Sequence, residues 1–227
     1  MEENNYKDQK ALVLFSGGQD STTCLGWALN RFDKVEALSF VYGQRHEVEL
    51  HCAKRICEKL NIHLTVLDIS FFRLIADSNL LNRKGNVSEP HPMAKDLPSS
   101  WVPNRNAMFL TIGHTLAIKL GFDALIIGVS AVDYSGYPDC RIEFILSMEI
   151  ALMKSSLISI DIVTPLIESS KADIWKMAED EGVLEIVRYQ SHTCYEGVRS
   201  RQFDWGYGCG ECPACILRDK GYDKYIT

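Results

Sequence analysis

The sequence predicts an α/β fold: a parallel sheet with helices on both faces, followed by a small cysteine-bound region at the C-terminal end. Three observations predict it. Strand-length apolar runs alternate with helix-length segments over the first seventy residues, the signature of βαβ units. The first run ends in a glycine-rich turn that opens a helix. Three of the eight cysteines fall within one seven-residue stretch near the end, a spacing that suits a metal ion.

Each element can be justified in order. Residues 11–15, Ala-Leu-Val-Leu-Phe, read as a buried parallel strand. Ser16-Gly17-Gly18-Gln19-Asp20-Ser21 follows, and residues 22–29 read as a helix. Residues 35–41 form a second strand, 46–60 a helix and 62–69 a third strand. In the second helix Cys52, Ala53, Ile56, Cys57 and Leu60 recur at three and four, so they share a core face. Cys24 packs on the first helix. The stretch 71–102 carries Pro90, Pro92 and Pro98 among polar residues and is long for a connection; it is a lid or a mobile segment. A helix from about 105 to 120 has a core stripe of Met108, Ile112, Leu116 and Leu120. A strand over 124–129, a polar loop over 132–141, a helix over 142–154 and a last strand over 160–166 follow. Ser170 and Asp173 fit a capping-box variant opening a helix that stops at Gly182. The expected division is a nucleotide domain over 1–190 and a cysteine-bound region over 191–227.

Composition sets bounds on function. The 227 residues are 46% apolar and 24% charged, with a net charge of −6. An acidic chain has little non-specific attraction for phosphate backbones, which disfavours a nucleic-acid partner. The first residues have neither the basic start nor the apolar core of a signal peptide, and no apolar run reaches bilayer length. The expectation is a cytoplasmic protein with no membrane partner. Cysteines there are metal ligands, catalytic thiols or core residues rather than disulfides.

The turn after the first strand is an anion site. Its glycines let backbone N–H groups approach the anion, and the helix N-terminus adds free donors and a positive dipole end. The Walker pattern G-x-x-x-x-G-K-[ST] is absent, and no lysine stands in the loop. Amides and hydroxyls alone suit a pyrophosphate held as one unit while chemistry occurs at the α phosphate. The six residues resemble the S-G-G-x-D-[ST] loop of the ATP pyrophosphatase superfamily, which implies an adenine nucleotide alpha hydrolase-like, Rossmann-like domain that binds ATP.

Cys209, Cys212 and Cys215 stand at two-residue gaps, with Cys194 upstream as the fourth. Four thiolates close a tetrahedral site and leave no open position, so the site is structural. Zinc suits it; an iron–sulfur cluster and a sulfur-carrying thiol pair are the rivals. Cys140, in the polar loop, is the one other cysteine at a site-like position.

Taken together, F-S-G-G-Q-D-S-T-T-C at 15–24, Y-G-Q-R-H at 42–46, V-P-N-R-N at 102–106, D-Y-S-G-Y-P-D-C-R at 133–141 and the cysteine cluster resemble the 7-cyano-7-deazaguanine synthase family. The gap from Cys194 to Cys209 is longer than that family's pattern, which predicts an inserted loop. The resemblance implies an enzyme that adenylates 7-carboxy-7-deazaguanine with ATP, takes up ammonia to form the amide, and adenylates again to form the nitrile. It implies magnesium on the triphosphate, small-molecule substrates and a homodimer. Phe15, Ser16, Gly17, Gly18, Gln19, Asp20, Ser21, Thr22, Thr23, Cys24 and Leu25 would form the nucleotide site. Asp20, Arg45 and Lys171 would be catalytic. Tyr42, Gln44, His46, Asn104, Arg105, Asp133, Tyr137, Asp139 and Arg141 would meet the substrate. Two other readings remain open: another adenylating enzyme of the superfamily, such as a tRNA thiolase or lysidine synthase, and a zinc-stabilised nucleotide-binding scaffold without turnover.

Overall fold

The computed structural model describes residues 6–81, 85–87, 89–132 and 136–227. Five strands, β1 (Lys10–Leu14), β2 (Lys34–Val41), β3 (Leu64–Asp68), β6 (Ala124–Ile127) and β7 (Asp161–Val163), form one parallel sheet in the order β3-β2-β1-β6-β7. The chain winds outward from β1 through β2 to β3, then returns to place β6 on β1's other side. The crevice between β1 and β6 is therefore the topological switch point, where ligands of open α/β sheets bind.

Side chains alternate across the sheet as the pleat requires. Ala11, Val13, Ala124 and Ile126 face one hydrophobic cluster. Leu12, Leu14, Leu125 and Ile127 face the other. The first face is covered by α1 (Gln19–Leu29), α2 (Val48–Leu60), α5 (Lys171–Asp180), α6 (Leu184–Tyr189) and α7 (Pro213–Ile226). The second is covered by α3 (Arg105–Leu120) and α4 (Ile142–Ser156). Trp205, Cys212, Cys215 and Tyr222 belong to the same cluster as Ala11 and Val13, so the C-terminal segment shares the core of the sheet. Cys24 and Cys57 are buried in that cluster, and Cys52 is buried beside Ala53 on α2. Among the described residues no helix is long and apolar enough to cross a membrane.

Several elements differ from expectation. Helix α1 begins at Gln19 rather than 22, because Gly18 adopts the extended N-cap conformation and the loop's last three residues already form the first turn. The fully buried positions of α3 include Leu110, Gly113, His114 and Ala117; of the expected stripe, Met108, Ile112 and Leu116 are half-buried and pack against the same cluster, while Leu120 is exposed. Gly113 sets this rotation: a Cβ there would meet Leu14 and Leu125 at 3.0 Å, so the helix lies against the sheet on its glycine. The 71–102 stretch holds a 3-10 turn (Ser70–Leu74) and a hairpin of β4 (Pro90–His91) and β5 (Ala94–Pro98). The Ser170 capping box is present, with Asp173 N donating to Ser170 Oγ and Ser170 N to Asp173 Oδ2. The segment between Cys194 and Cys209 contains a two-stranded hairpin, β8 (Gln202–Phe203) and β9 (Gly206–Tyr207).

Candidate active site

A cavity of about 1050 Å³ opens at the carboxyl ends of β1, β2 and β6. It lies at the upper end of the range for small-molecule sites, about 300–1000 Å³. One wall is the glycine loop. Gly17 takes φ +85°, and a Cβ there would lie 2.5 Å from the Glu49 carbonyl oxygen, so only glycine lets the loop press against α2. His192 N donates to Gly17 O at 2.9 Å and Gln19 N donates to Thr193 Oγ1 at 3.3 Å, tying the loop to segment 191–195. Gly18 N donates to Ser16 Oγ, and the Ser16 and Ser21 hydroxyls lie 3.1 Å apart. No side chain caps α1, so its N-terminal dipole end faces the cavity beside Ser16, Gly18, Gln19, Asp20 and Ser21. Both polar atoms of the buried Gln19 amide lack a partner among the described residues. Such donors and acceptors fit a polar ligand.

Asp20 is held by Lys171, whose Nζ donates to Oδ1 at 2.9 Å and Oδ2 at 2.7 Å. Lys171 is the first residue of α5 and lines the same cavity. Gly221 of α7 packs on its base, where a Cβ would sit 2.4 Å from Lys171 Cβ. Thus two helix starts, far apart in sequence, present one charge pair.

The opposite wall comes from the end of β2 and the start of α3. Gln44 folds back, accepting from Tyr42 N at 2.9 Å and donating to Phe40 O. Tyr42 packs edge-on to Phe109, which stacks on Phe40. Burial raises the Tyr42 phenol above its ordinary value, opposed by Arg105, to which it is hydrogen-bonded. Burial works against charge on Arg105, but Tyr42, Asp139, Cys140 and Tyr137 outweigh it and hold the guanidinium ionised. Tyr137 shares a 2.8 Å hydrogen bond with Ser100. The Cys140 thiol is pushed up to about 12 by burial and by Asp139, so it is neutral and no nucleophile at ordinary pH. Arg45 pairs with Glu196 at 3.3 Å, and the His46 ring donates Nε2–H to Tyr195 O at 2.9 Å.

Of the expected site residues, Phe15, Ser16, Gly18, Gln19, Asp20, Ser21, Tyr42, Gln44, Arg45, His46, Arg105, Tyr137 and Lys171 line this one cavity. Thr22, Thr23, Cys24 and Leu25 lie buried inside α1, where the two threonine hydroxyls bond back to Gly18 O and Gln19 O. Gly17 is the hinge of the loop. Asp139 is buried behind the wall, accepting from Asn106 N at Oδ2. Asn104 is an exposed left-handed cap at φ 58°, and exposed Arg141 donates to Gly136 O at 3.5 Å. None of these eight is in the cavity lining. Asp133 lies outside the described residues.

Sequence reasoning missed two groups. Glu49, in the first turn of α2, lines the cavity, and burial pushes its carboxyl up to about 7 against the pull of Arg105. Its one available signal was its place three residues beyond His46. Arg218 of α7 is fully buried and bonds Trp205 O, Ser191 Oγ, Thr193 Oγ1 and Val187 O. Nothing local marks it.

The sulfurs of Cys194, Cys209, Cys212 and Cys215 lie within 4.8 Å of one another, close enough to hold a metal ion. Cys209 and Cys215 are 3.8 Å apart; a Zn–S bond of about 2.3 Å gives a tetrahedral edge of about 3.8 Å. Glu211 N and Cys212 N donate to Cys209 Sγ, the support a thiolate needs. The donor set and its spacing fit a closed metal centre.

The family model described as queuosine biosynthesis protein QueC matches residues 10–226. The chain is 49% identical over 216 residues to the 7-cyano-7-deazaguanine synthase of Wolinella succinogenes, covering 95% of this chain and 93% of that one. It is 47% identical over 214 residues to that of Helicobacter pylori, covering 94% and 95%. A third synthase, from Clostridium botulinum, is 46% identical over 217 residues, covering 96% of each chain. Among solved structures, a 4-thiouridine synthetase–RNA complex with bound ATP matches with a TM-score of 0.52 at 19% identity, over 96% of this chain and 50% of that one. At that identity the likeness shows the fold alone.

Proposed function

From its membership of the QueC family of queuosine biosynthesis proteins, to which this chain belongs, we propose that the cavity converts 7-carboxy-7-deazaguanine and ammonia to 7-cyano-7-deazaguanine with ATP. The chain is a C–N bond-forming ligase. A carboxylate oxygen is a poor leaving group; adenylation makes it one that departs as AMP, with pyrophosphate released. Ammonia then gives the amide, and a second adenylation on the amide oxygen lets AMP leave as the nitrile forms.

The chain's own groups divide the work by position. Amides and hydroxyls from Ser16 to Ser21 hold the β and γ phosphates. Lys171, set on Asp20, offsets charge that develops as pyrophosphate leaves. Arg105, ionised and without a carboxylate salt bridge among the described residues, holds the substrate carboxylate against the α phosphate. Tyr42, Phe109 and Tyr137 form an aromatic wall for the flat base. Gln44, Arg45 and His46 shape that wall's rim, and Asp139 supports Arg105 from behind. Magnesium, when bound, neutralises the triphosphate, and Asp20 is the loop carboxylate that suits it. Zinc, when bound to the four cysteines, supplies only closure of the segments that carry them.

The reactants are small molecules, and no nucleic acid or membrane takes part. The chain works in the cytoplasm as a homodimer. The exposed apolar stripe Ile142, Leu146, Ile150 and Met153 along α4 supports a paired state. In domain terms, 1–190 forms the ATP pyrophosphatase unit and 191–227 the metal-bound region packed on it.

The observation that carries the reading is the phosphate loop with its Asp20–Lys171 pair facing Arg105 across one cavity. The test is turnover of the carboxylated base with ATP, magnesium and ammonium, followed by mass spectrometry. Nitrile and AMP are expected. An unchanged base with ATP bound refutes the reading.

A further inference from the structure

Arg105 lines the cavity with no carboxylate ion-paired to it among the described residues. Glu49 lines it too: among the described residues no hydrogen bond or ion pair involves its carboxylate, although it faces the cavity and is recessed from solvent. An unpaired recessed carboxylate is costly unless a cation or a set of N–H donors completes it. Its place limits what that completing group can be. The Glu49 backbone carbonyl touches Gly17 of the phosphate loop, and its side chain feels Arg105 through space. It therefore stands where the loop and the carboxylate-binding arginine converge, beside the carboxylate that is adenylated.

We propose that Glu49 is the ammonium-binding site of the cavity, resting on the amidation reading given above. Arg105 and Glu49 then match the two groups to be joined, a carboxylate on Arg105 and an ammonium ion on Glu49. Two other completing groups are weaker candidates. The donor edge of the base would require the ring to turn its carboxylate away from Arg105. A magnesium ion has Asp20 on the phosphate loop itself.

The test uses the full chain and compares two reactions. One is amidation of the carboxylated base at varied ammonium chloride. The other is conversion of the 7-amide to the nitrile, which takes up no ammonia. Glu49→Gln is expected to raise the KM for ammonium by about tenfold or more, the loss of one charge pairing. The KM values for base and ATP and the magnesium requirement are expected to stay near wild type. The amide-to-nitrile rate is expected to fall far less than the amidation rate at low ammonium. Should Glu49→Gln fail to fold, Glu49→Asp, which keeps the charge but withdraws it by one methylene, is expected to raise the ammonium KM selectively. A shift in the KM for base, a shift in the magnesium requirement, equal losses in both reactions, or an unchanged ammonium KM each overturns the site. A wild-type chain that never turns over the base overturns the reaction assignment instead.

Discussion

Replacing Arg218 by methionine removes a buried hydrogen-bonding side chain that joins α7 to the segment behind the phosphate loop. Its guanidinium donates to Trp205 O at 3.1 Å, Ser191 Oγ at 3.1 Å, Thr193 Oγ1 at 2.9 Å and Val187 O at 2.6 Å. It also lies over Trp175 and Trp205. Among the described residues no carboxylate pairs with it, and burial lowers it to about 10. Methionine fills much of the volume but leaves the Trp205 carbonyl without its donor; Val187 O keeps the Ser191 hydroxyl, and the Thr193 hydroxyl can turn elsewhere. Hydrogen bonds to a charged group contribute about 1.5–3 kcal/mol each, and the relief of burying a charge offsets part of that sum. A net loss of about 3 kcal/mol follows. With a urea slope of about 2–3 kcal/mol/M for a chain of this size, the midpoint moves down by about 1 M. Tryptophan fluorescence in urea reads it, since Trp175 and Trp205 flank the site. Arg218→Lys keeps the charge but not the fork and falls between wild type and Arg218→Met. A midpoint shift below about 0.3 M for Arg218→Met, at unchanged slope, refutes the account.

Lys171→Met is expected to lower kcat by about 100-fold or more with the fold intact by circular dichroism, because Asp20 loses its partner and the leaving pyrophosphate its cation; a loss below about fivefold places Lys171 outside the chemistry. Elemental analysis is expected to find one zinc per chain, and Cys194→Ser to lose it with a lower Tm; full metal retention in the variant refutes the four-thiolate site. The carboxyl of Glu49 titrates near 7 in the folded chain against an ordinary 4.5. The folded state thus holds the extra proton between those values, so this group's contribution to stability is fully present below about pH 4.5 and is lost as pH rises through about 7. Activity runs the opposite way: the KM for ammonium rises as pH falls below 7, and a flat KM between pH 6 and pH 8 contradicts the assigned role.

The phosphate loop was legible in the sequence because its physics is local. Two glycines and a hydroxyl between an apolar run and a helix mark a strand–turn–helix junction that leaves free backbone donors at the helix start. The cysteine spacing was legible for the same reason, Cys194 included, and the structure brings its sulfur to the other three from across a hairpin. The sheet followed from alternating runs, though its strand order did not. What stayed hidden depends on contacts between distant segments. Arg218 reads as an ordinary helical arginine until α7 packs against residues 187–193. Glu49 reads as a solvated first-turn acid until Gly17 closes on α2. The centre of the buried face of α3 was not legible: Met108, Ile112 and Leu116 do pack on the core, but leucine spacing alone ignores Gly113, whose missing side chain brings its own side of the helix closest to the sheet. The hairpin Pro90–His91 with Ala94–Pro98 was hidden by its prolines, which sit at strand ends where no ladder donor is needed.

Segment 191–195 serves two masters. His192 and Thr193 brace the phosphate loop, while Cys194 belongs to the metal cluster. Whatever ion settles on the sulfurs and whatever anion settles on the loop are therefore coupled through three consecutive residues, and such coupling is reciprocal. A metal that tightens nucleotide binding by some factor is itself retained more firmly, by that same factor, while nucleotide is bound. Chelators should then strip resting protein faster than working protein, and metal starvation would show first as weakened ATP affinity, ahead of any unfolding.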